Sequence, residues 1–225
     1  MFKHKIFNKV LLTGSFIVTL LIIAKLSGVL QYAYVPQAGG EPNIKKNSFV
    51  FITNILPYEK FKLLVYNQNE NEFGKGAYVH RLVGVAGDRI QIKNGELFVN
   101  NKFSDSALKL KHSYKIDRAY LNDLMLKGAS ENEFYPMDSD YFITQLSKDE
   151  LNDNFFYERF INPNSDQEIV NIYHHSWNAD NFGPVTVPQG KVFFLGDNRN
   201  ASLDSRYIGF IDEKEITGRV FYPKN

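Results

Sequence analysis

An uncharged segment near the amino terminus constrains the fold of this chain more than any other feature. Residues 10–24, VLLTGSFIVTLLIIA, carry no charge, and only Lys25 interrupts the uncharged run that continues to Gly40. A helix needs about 20 apolar residues to cross the hydrocarbon core of a bilayer. Residues 10–33 supply that length, so we predict a transmembrane anchor there, with membrane lipid as a partner. The remaining residues must then build the folded body outside the bilayer.

The charges before this segment predict its orientation. Lys3, Lys5 and Lys9 precede it, and basic flanks stay on the cytoplasmic side. We therefore predict a cytoplasmic segment over residues 1–9 and a single-pass protein of the cytoplasmic (inner) membrane, with its body on the exported side. A cleaved signal peptide also fits the length of residues 10–24. No clear small-x-small cleavage site follows, which favours a retained anchor.

The body reads mainly as short β-strands. Runs of alternating or continuous apolar residues lie between turn residues, and Asn94-Gly95 is a strong signal for a tight hairpin. We predict a mainly β fold whose core is formed in two parts, residues 34–100 and residues 181–225. The predicted strands are SFVFIT (48–53), KLLVY (62–66), YVHRLVGV (78–85), RIQI (89–92), NGELFVN (94–100), GKVFFLG (190–196) and GRVFYP (218–223).

Residues 101–180 differ from the rest of the body and predict an inserted α+β subdomain. Residues 117–128 place apolar side chains on one helical face and end in a glycine. Residues 146–155 begin with Ser-Lys-Asp-Glu, which resembles a capping box and predicts a second short helix. The aromatic residues of 152–160 are assigned to the core of this insertion.

Composition excludes several classes of function. The chain has no cysteine, which removes disulfides, thiol catalysis and cysteine-ligated metals. Its net charge is +1, so bulk electrostatics indicate no nucleic-acid partner. His174 and His175 are adjacent, and neighbouring side chains of an extended segment point to opposite faces. We predict no metal site and no cofactor.

Two motifs carry a resemblance to a known family. The segment GDNRNASLDSRYIGF, residues 196–210, resembles the carboxy-terminal signature of bacterial signal peptidase I, and YVHRLVGVAGDRIQI, residues 78–92, resembles its second conserved segment. The resemblance covers residues 35–100 and 180–222. It implies a coiled antiparallel β-sheet core with an inserted subdomain and one amino-terminal transmembrane helix. It also implies exported precursor peptides as partners.

The resemblance implies a serine nucleophile and a lysine base, and neither residue is present. His80 stands at the lysine position, within Tyr78-Val79-His80-Arg81. Histidine is a competent general base near neutral pH. Gly39 stands at the nucleophile position, within PQAGGEPNI, residues 36–44, and a glycine has no side chain with which to attack. Gln37 replaces a serine that helps to bind the oxyanion in the family.

The surrounding site residues of the family are retained. The resemblance implies that Ser202 hydrogen-bonds the general base and that Asp204 and Arg206 pair beneath the site. Asp197 and Arg199 are predicted to tie the strand end to its neighbours through charge-assisted hydrogen bonds. The predicted structural residues are therefore Asp197, Arg199, Asp204, Arg206 and Arg81.

Three functions remain open from the sequence. The first is a catalytically inactive member that binds exported precursor peptides, or assists an active signal peptidase or the translocation machinery. The second is an active serine endopeptidase that uses His80 with an unaligned serine such as Ser48, or with a bound water. The third is a non-catalytic scaffold subunit of an envelope complex. A serine hydroxyl within hydrogen-bond reach of His80 would favour the second.

Overall fold

The computed structural model describes residues 2–68 and 76–223, with side chains from residue 9 onward. Lys3 and Lys5, on which the predicted orientation rests, therefore have side chains outside the described part. Met1 of the predicted cytoplasmic segment also lies outside it, as do residues 69–75 and 224–225 of the predicted β core.

The apolar amino-terminal segment forms one helix, α1, over Phe2–Leu26. Its stretch Lys9–Leu26 is long and apolar enough to cross a membrane. The helix ends at Leu26, short of residue 33, where the predicted anchor ended. Gly28 follows with a φ of +74°, a left-handed conformation that stops helices and that glycine adopts without steric cost.

The described residues after α1 form short strands and three further helices. The helices are α2 (Arg118–Leu126), α3 (Gln167–Tyr173) and α4 (Ser205–Ile208). The strands are β1 (Gln31–Val35), β2 (Ser48–Thr53), β3 (Leu63–Gln68), β4 (Gly76–Val85), β5 (Arg89–Lys93), β6 (Glu96–Val99), β7 (Lys102–Phe103), β8 (Lys111–Asp117), β9 (Tyr135–Pro136), β10 (Tyr141–Ser147), β11 (Tyr157–Arg159), β12 (Phe182–Thr186), β13 (Lys191–Leu195), β14 (Ile211–Asp212) and β15 (Ile216–Tyr222).

The largest sheet combines both predicted parts of the core. Its seven strands run in the order β1-β2-β15-β3-β4-β13-β14, and each neighbouring pair is antiparallel. The mainly β prediction is confirmed, and the predicted strands of residues 48–53, 78–85 and 190–196 all lie in this sheet. Residues 31–33 of the predicted anchor belong to β1, where Gln31 pairs with Ile52.

A second sheet extends from the same core in the order β12-β5-β6-β7. The predicted hairpin is confirmed, because β5 and β6 are joined at Asn94 and Gly95, which have φ values of +49° and +76°. Positive φ at both central residues gives a turn whose twist matches that of the paired strands.

The insertion has a sheet of its own, β11-β8-β10-β9, on which α2 packs. Phe155 and Tyr157 of the aromatic segment pack against the apolar cluster there. The predicted helix over residues 146–155 is wrong. Only a single 3-10 turn forms at Lys148–Glu150, although the Glu150 carboxylate accepts hydrogen bonds from both the amide and the hydroxyl of Ser147. The capping interaction is present, but no apolar helical face follows to stabilise further turns.

Candidate functional site

A pocket of about 220 Å³ opens where the chain leaves β1 and passes the first half of β4. Its walls come from residues 33–37, from Gly39 and Gly40, and from residues 76–80, with Leu203 closing one side. The two positions that the resemblance gives to the nucleophile and the base, Gly39 and His80, both line it. Two segments that lie far apart in the sequence therefore meet at one concave surface.

His80 is fixed by two hydrogen bonds. Its Nε2 lies 3.2 Å from the Ser202 hydroxyl, and its Nδ1 lies 2.9 Å from the Tyr66 hydroxyl. The ring is buried, and burial lowers the pKa of His80, although the nearby carboxylates of Asp204 and Asp197 oppose this shift. A histidine with a lowered pKa is neutral near pH 7.

Tyr66 is a site residue that the sequence did not reveal. It lies on β3, is fully buried, and stacks on Phe194 with ring centroids 4.4 Å apart. Burial raises the pKa of its phenol well above the ordinary value, so the hydroxyl keeps its proton. The sequence held only a weak signal, because Tyr66 follows an apolar run in its strand, and the register of β3 against β4 was needed to place it beside His80.

Gly39 is held by its backbone. Its carbonyl oxygen accepts a hydrogen bond from the Asn198 amide at 3.0 Å. A Cβ atom built on Gly39 would lie 3.4 Å from the Ser202 hydroxyl oxygen and from the Ala201 carbonyl oxygen, which is ordinary contact. Its φ lies outside the left-handed region, so no backbone conformation requires a glycine there. Residue 39 therefore has space for a side chain that it lacks.

Gly196 does require a glycine. A Cβ atom built there would lie 2.0 Å from the Ser202 hydroxyl oxygen and 2.3 Å from the Ser202 Cβ. Ser202 is thus packed directly against the backbone of the strand end. This close approach positions its hydroxyl between Gly196, Gly39 and the imidazole of His80.

Asp204 and Arg206 form a fully buried ion pair beneath Ser202. Arg206 donates from Nε to Asp204 Oδ1 at 2.8 Å and from Nη2 to Oδ2 at 2.7 Å. Its remaining donors reach the carbonyls of Arg199 and Ala179. Burial by itself raises the pKa of Asp204, but the Arg206 guanidinium outweighs this and leaves that pKa below its ordinary value. The carboxylate is therefore charged and fully paired.

Two more buried pairs continue this arrangement. Arg81 donates from Nε and Nη2 to the two carboxylate oxygens of Asp197 at 2.7 and 2.6 Å, and Asn43 donates to the same carboxylate at 2.7 Å. Arg199 makes a bidentate pair with Asp105 of the insertion boundary. The charge-assisted hydrogen bonds predicted for Asp197 and Arg199 are present. Their partners, Arg81 and Asp105, were not identified from the sequence.

Ser48 does not reach His80. Its hydroxyl donates to the Lys45 carbonyl at 2.6 Å, and β15 and β3 lie between its strand, β2, and the strand of His80. The serine that does contact His80 is Ser202. His174 lies at the carboxyl end of α3 in a left-handed conformation, and His175 stacks on Trp177. No group of three or more potential metal ligands occurs among the described residues.

The comparisons with known proteins agree with the motifs. The family model for signal peptidase, peptidase S26, matches residues 8–224. Signal peptidase IB of Staphylococcus aureus is 28% identical over 187 residues, which are 81% of this chain and 71% of that protein. Signal peptidase I of Streptococcus pneumoniae is 27% identical over 215 residues, which are 93% of this chain and 91% of that protein.

A solved structure matches more distantly. The crystal structure of a signal peptidase I from Enterococcus faecalis gives a TM-score of 0.37 at 20% identity, and the match covers 74% of this chain and 98% of that chain. The match of the family model spans both motifs and the segment 36–44.

Proposed function

This chain belongs to the signal peptidase family, peptidase S26, and we propose that it binds signal-peptide-bearing precursors without cleaving them. The family acts on such precursors. One observation carries the proposal: residue 39 lines the pocket beside His80 and has no side chain, while the residues around it are in place. Acyl transfer to a serine needs a hydroxyl beside its base, and position 39 offers none. The Ser202 hydroxyl does lie within hydrogen-bond reach of His80, so an active endopeptidase that uses Ser202 is the second candidate.

The pocket lies between two unpaired strand edges. Within the described part of the chain, β1 ends the large sheet and pairs with β2 alone. β13 pairs with β4 only from Arg81 to Val85, so among the described strands residues 76–80 pair on one side alone, with β3. An extended peptide can add to such an edge through its backbone hydrogen bonds. The pocket therefore suits an extended precursor segment.

The lining of the pocket indicates which side chains it accepts. Ala33, Val35, Ala77 and Val79 contribute small apolar surfaces, Gly39 and Gly40 add no side chains, and larger side chains such as those of Tyr34 and Tyr78 complete the lining. Small apolar side chains of a bound peptide match such walls in polarity and suit a pocket of about 220 Å³. When a peptide adds as a strand to a sheet edge, every second side chain of the peptide faces the pockets, and those side chains determine specificity.

An exposed aromatic surface supports placement of the body at a membrane. Tyr32, Phe49, Phe51, Phe221 and Tyr222 are exposed on β1, β2 and β15, next to the end of α1. Phe49 contacts Tyr32 at a centroid distance of 6.3 Å, and Phe51 contacts Tyr222 at 6.0 Å. Aromatic side chains favour the interface between lipid and water. We place this surface against lipid headgroups on the exported side of the membrane.

At the membrane surface, the protein would bind precursors as they leave the membrane. A bound leader peptide would be shielded from other proteins until an active signal peptidase or the translocation machinery takes it over. The proposal therefore includes both as partners.

The test uses the full chain in nanodiscs and a fluorescent precursor peptide that carries a leader. We expect saturable binding without cleavage. Ala77→Trp should abolish most of the binding, because Ala77 is exposed and lines the pocket, so an indole there fills it. The matched control is Ala119→Trp on α2, because Ala119 is also exposed and does not line the pocket.

Two results would contradict the proposal. Cleavage of the precursor by the native chain would show an active peptidase, and Ser202→Ala would then test whether Ser202 is its nucleophile. Equal binding by native chain and Ala77→Trp, or no binding by either, would exclude this pocket as a peptide site and favour the scaffold function.

A further inference from the structure

Three side chains form a continuous polar chain through the wall of the pocket. Tyr66 contacts His80 Nδ1 at 2.9 Å, and His80 Nε2 contacts the Ser202 hydroxyl at 3.2 Å. Tyr66 is fully buried and His80 is 6% exposed, whereas Ser202 is only partly buried. The chain therefore begins in the core of the sheet and ends at the pocket, next to residue 39.

The direction of these hydrogen bonds follows from the Tyr66 proton. His80 Nδ1 is the one hydrogen-bond partner of the Tyr66 hydroxyl among the described residues. A buried donor without an acceptor is strongly unfavourable, so the phenol must donate to Nδ1. A ring nitrogen that accepts a hydrogen bond carries no proton. The proton of the neutral imidazole is then on Nε2.

Neighbouring charged groups do not alter this direction. The carboxylates of Asp197 and Asp204 lie near His80, and each is taken up by its own arginine, Arg81 and Arg206. No hydrogen bond links either carboxylate to the imidazole within the described part of the chain. His80 Nε2–H therefore has Ser202 as its acceptor.

We propose that Tyr66, His80 and Ser202 form a hydrogen-bond relay, in which Tyr66 fixes the proton of His80 on Nε2 and the Ser202 hydroxyl donates to a carbonyl of the bound peptide. The last step rests on the proposed function. Ser202 accepts from His80, so its own proton is free for an acceptor outside the relay. In the relay, His80 donates a hydrogen bond to Ser202 from Nε2, and that nitrogen therefore cannot accept a proton from a neighbouring hydroxyl.

The peptide carbonyl that accepts the Ser202 proton can lie in the space beside residue 39. A Cβ atom on Gly39 would lie 3.4 Å from the Ser202 hydroxyl oxygen, so this space is left open by the glycine. A peptide strand lying along the edge of β1 passes this point. Donors in series polarise one another, which strengthens the terminal hydrogen bond to a carbonyl oxygen. Tyr66 is accordingly a positioning residue, and Ser202 is the binding residue.

Nitrogen-15 NMR of histidine-labelled protein tests the relay directly. We expect His80 Nε2 to give the signal of a protonated nitrogen coupled to its hydrogen, and Nδ1 the signal of an unprotonated one. Tyr66→Phe should shift the Nδ1 signal, while Tyr120→Phe, which removes the hydroxyl of a tyrosine with a buried side chain in the insertion, should leave it unchanged. A native His80 protonated on Nδ1 would overturn the proposal.

Peptide binding tests the end of the relay. Ser202→Ala should weaken binding of the leader peptide about tenfold, as expected for one lost hydrogen bond. Tyr66→Phe should weaken it by a smaller factor, and Ser104→Ala, which removes a hydroxyl that donates to the Lys102 carbonyl and does not line the pocket, should not change it. Unchanged binding by Ser202→Ala would overturn the donor role of Ser202.

The two proposals fail in different ways. If no peptide binds but Nε2 carries the proton, the proposed function fails, and with it the donation to a peptide carbonyl, while the assignment of Tyr66 stands. If peptide binds at the pocket and Nδ1 carries the proton, the relay fails and the proposed function stands.

Discussion

The segment 193–210 and the segment 36–44 meet at the same pocket and differ in how they are held. In 193–210, the carboxylates and guanidinium groups of Asp197, Arg199, Asp204 and Arg206 are buried and paired. In 36–44, Gly39 makes only a backbone hydrogen bond at this point. The segment 193–210 is fixed at the pocket by buried ion pairs. In 36–44, residue 39 is fixed by its backbone, and side chains hold the segment only farther along, where Glu41 pairs with Lys111 and Asn43 donates to Asp197.

The ion pairs of 193–210 stabilise the fold, whereas a side chain at residue 39 would contribute only to catalysis. A buried charge whose partner is removed destabilises a protein strongly, so the ion pairs cannot be lost one at a time without cost. A hydroxyl at residue 39 would make no contact that the structure requires. The arrangement around the pocket can therefore persist without the group that it would serve.

The largest expected effect comes from breaking the fully buried pair. Arg206→Met leaves the Asp204 carboxylate buried without its partner, and we expect the free energy of unfolding to fall by about 3–5 kcal/mol. Chemical denaturation in detergent measures this. Lys109→Met is the control, because Lys109 and Asp149 form an exposed pair worth about 0–1 kcal/mol. Equal losses of unfolding free energy in the two variants would show that the buried pair stabilises the fold no more than an exposed pair does.

The next largest effect is expected from acid, which acts at His112 on β8. Burial, together with the charges of Arg159, Arg199 and other basic groups, lowers the pKa of His112 to about 2. The unfolded chain binds this proton below its ordinary pKa of about 6.5 and the folded chain does not, so stability falls as pH falls. Between pH 6.5 and pH 5 the loss is about 2 kcal/mol.

His112→Gln tests this pH dependence. The glutamine oxygen can still accept the hydrogen bond that Arg159 gives to His112 Nδ1, but it does not titrate. We expect the variant to lose about 2 kcal/mol less than the native chain over the same pH range. His175→Gln, which removes an exposed imidazole, serves as the reference variant. Parallel stability curves for the native chain and His112→Gln would contradict the prediction.

The smallest effect on stability is expected at residue 39. Gly39→Ser should change the free energy of unfolding by less than about 0.5 kcal/mol, because the new Cβ meets only ordinary contacts. Precursor cleavage should appear but be slow, since His80 must move its proton from Nε2 to Nδ1 and leave the Tyr66 proton unpaired, at about 1–3 kcal/mol.

The double variant Gly39→Ser with His80→Ala should lose that cleavage, as measured by gel assay of a leader-bearing precursor. Cleavage by the double variant would mean that His80 does not act as the base. Rapid cleavage by Gly39→Ser alone would indicate that the relay does not restrain His80.

Most of the β core was predictable because alternation and turn residues are local signals. The strand over Ser48–Thr53 and the Asn94-Gly95 hairpin have the predicted positions. The helix expected over residues 146–155 did not form, because a capping signal marks where a helix can start and not whether an apolar face will stabilise it. The end of α1 was displaced because hydropathy does not register the left-handed Gly28 that stops the helix, nor the pairing of residues 31–35 as an edge strand.

The site was predictable only where its residues lie close together in the sequence. Asp204 and Arg206 are two residues apart, so their pairing was within reach of a motif. The partners Arg81 for Asp197 and Asp105 for Arg199 lie 116 and 94 residues away along the chain, and no local pattern links them. Tyr66 was missed because its role depends on the register of β3 against β4.

The sequence by itself determined the apolar helix, the mainly β character and the missing side chain at residue 39, because each depends on residue type or local spacing. The tertiary structure alone decided which groups face one another: the long-range ion pairs, the two strand edges beside the pocket and the contact of Tyr66 with His80. Hydrogen bonds and ion pairs act over a few ångströms of space, and only the folded sheet brings residues so far apart in the chain within that distance.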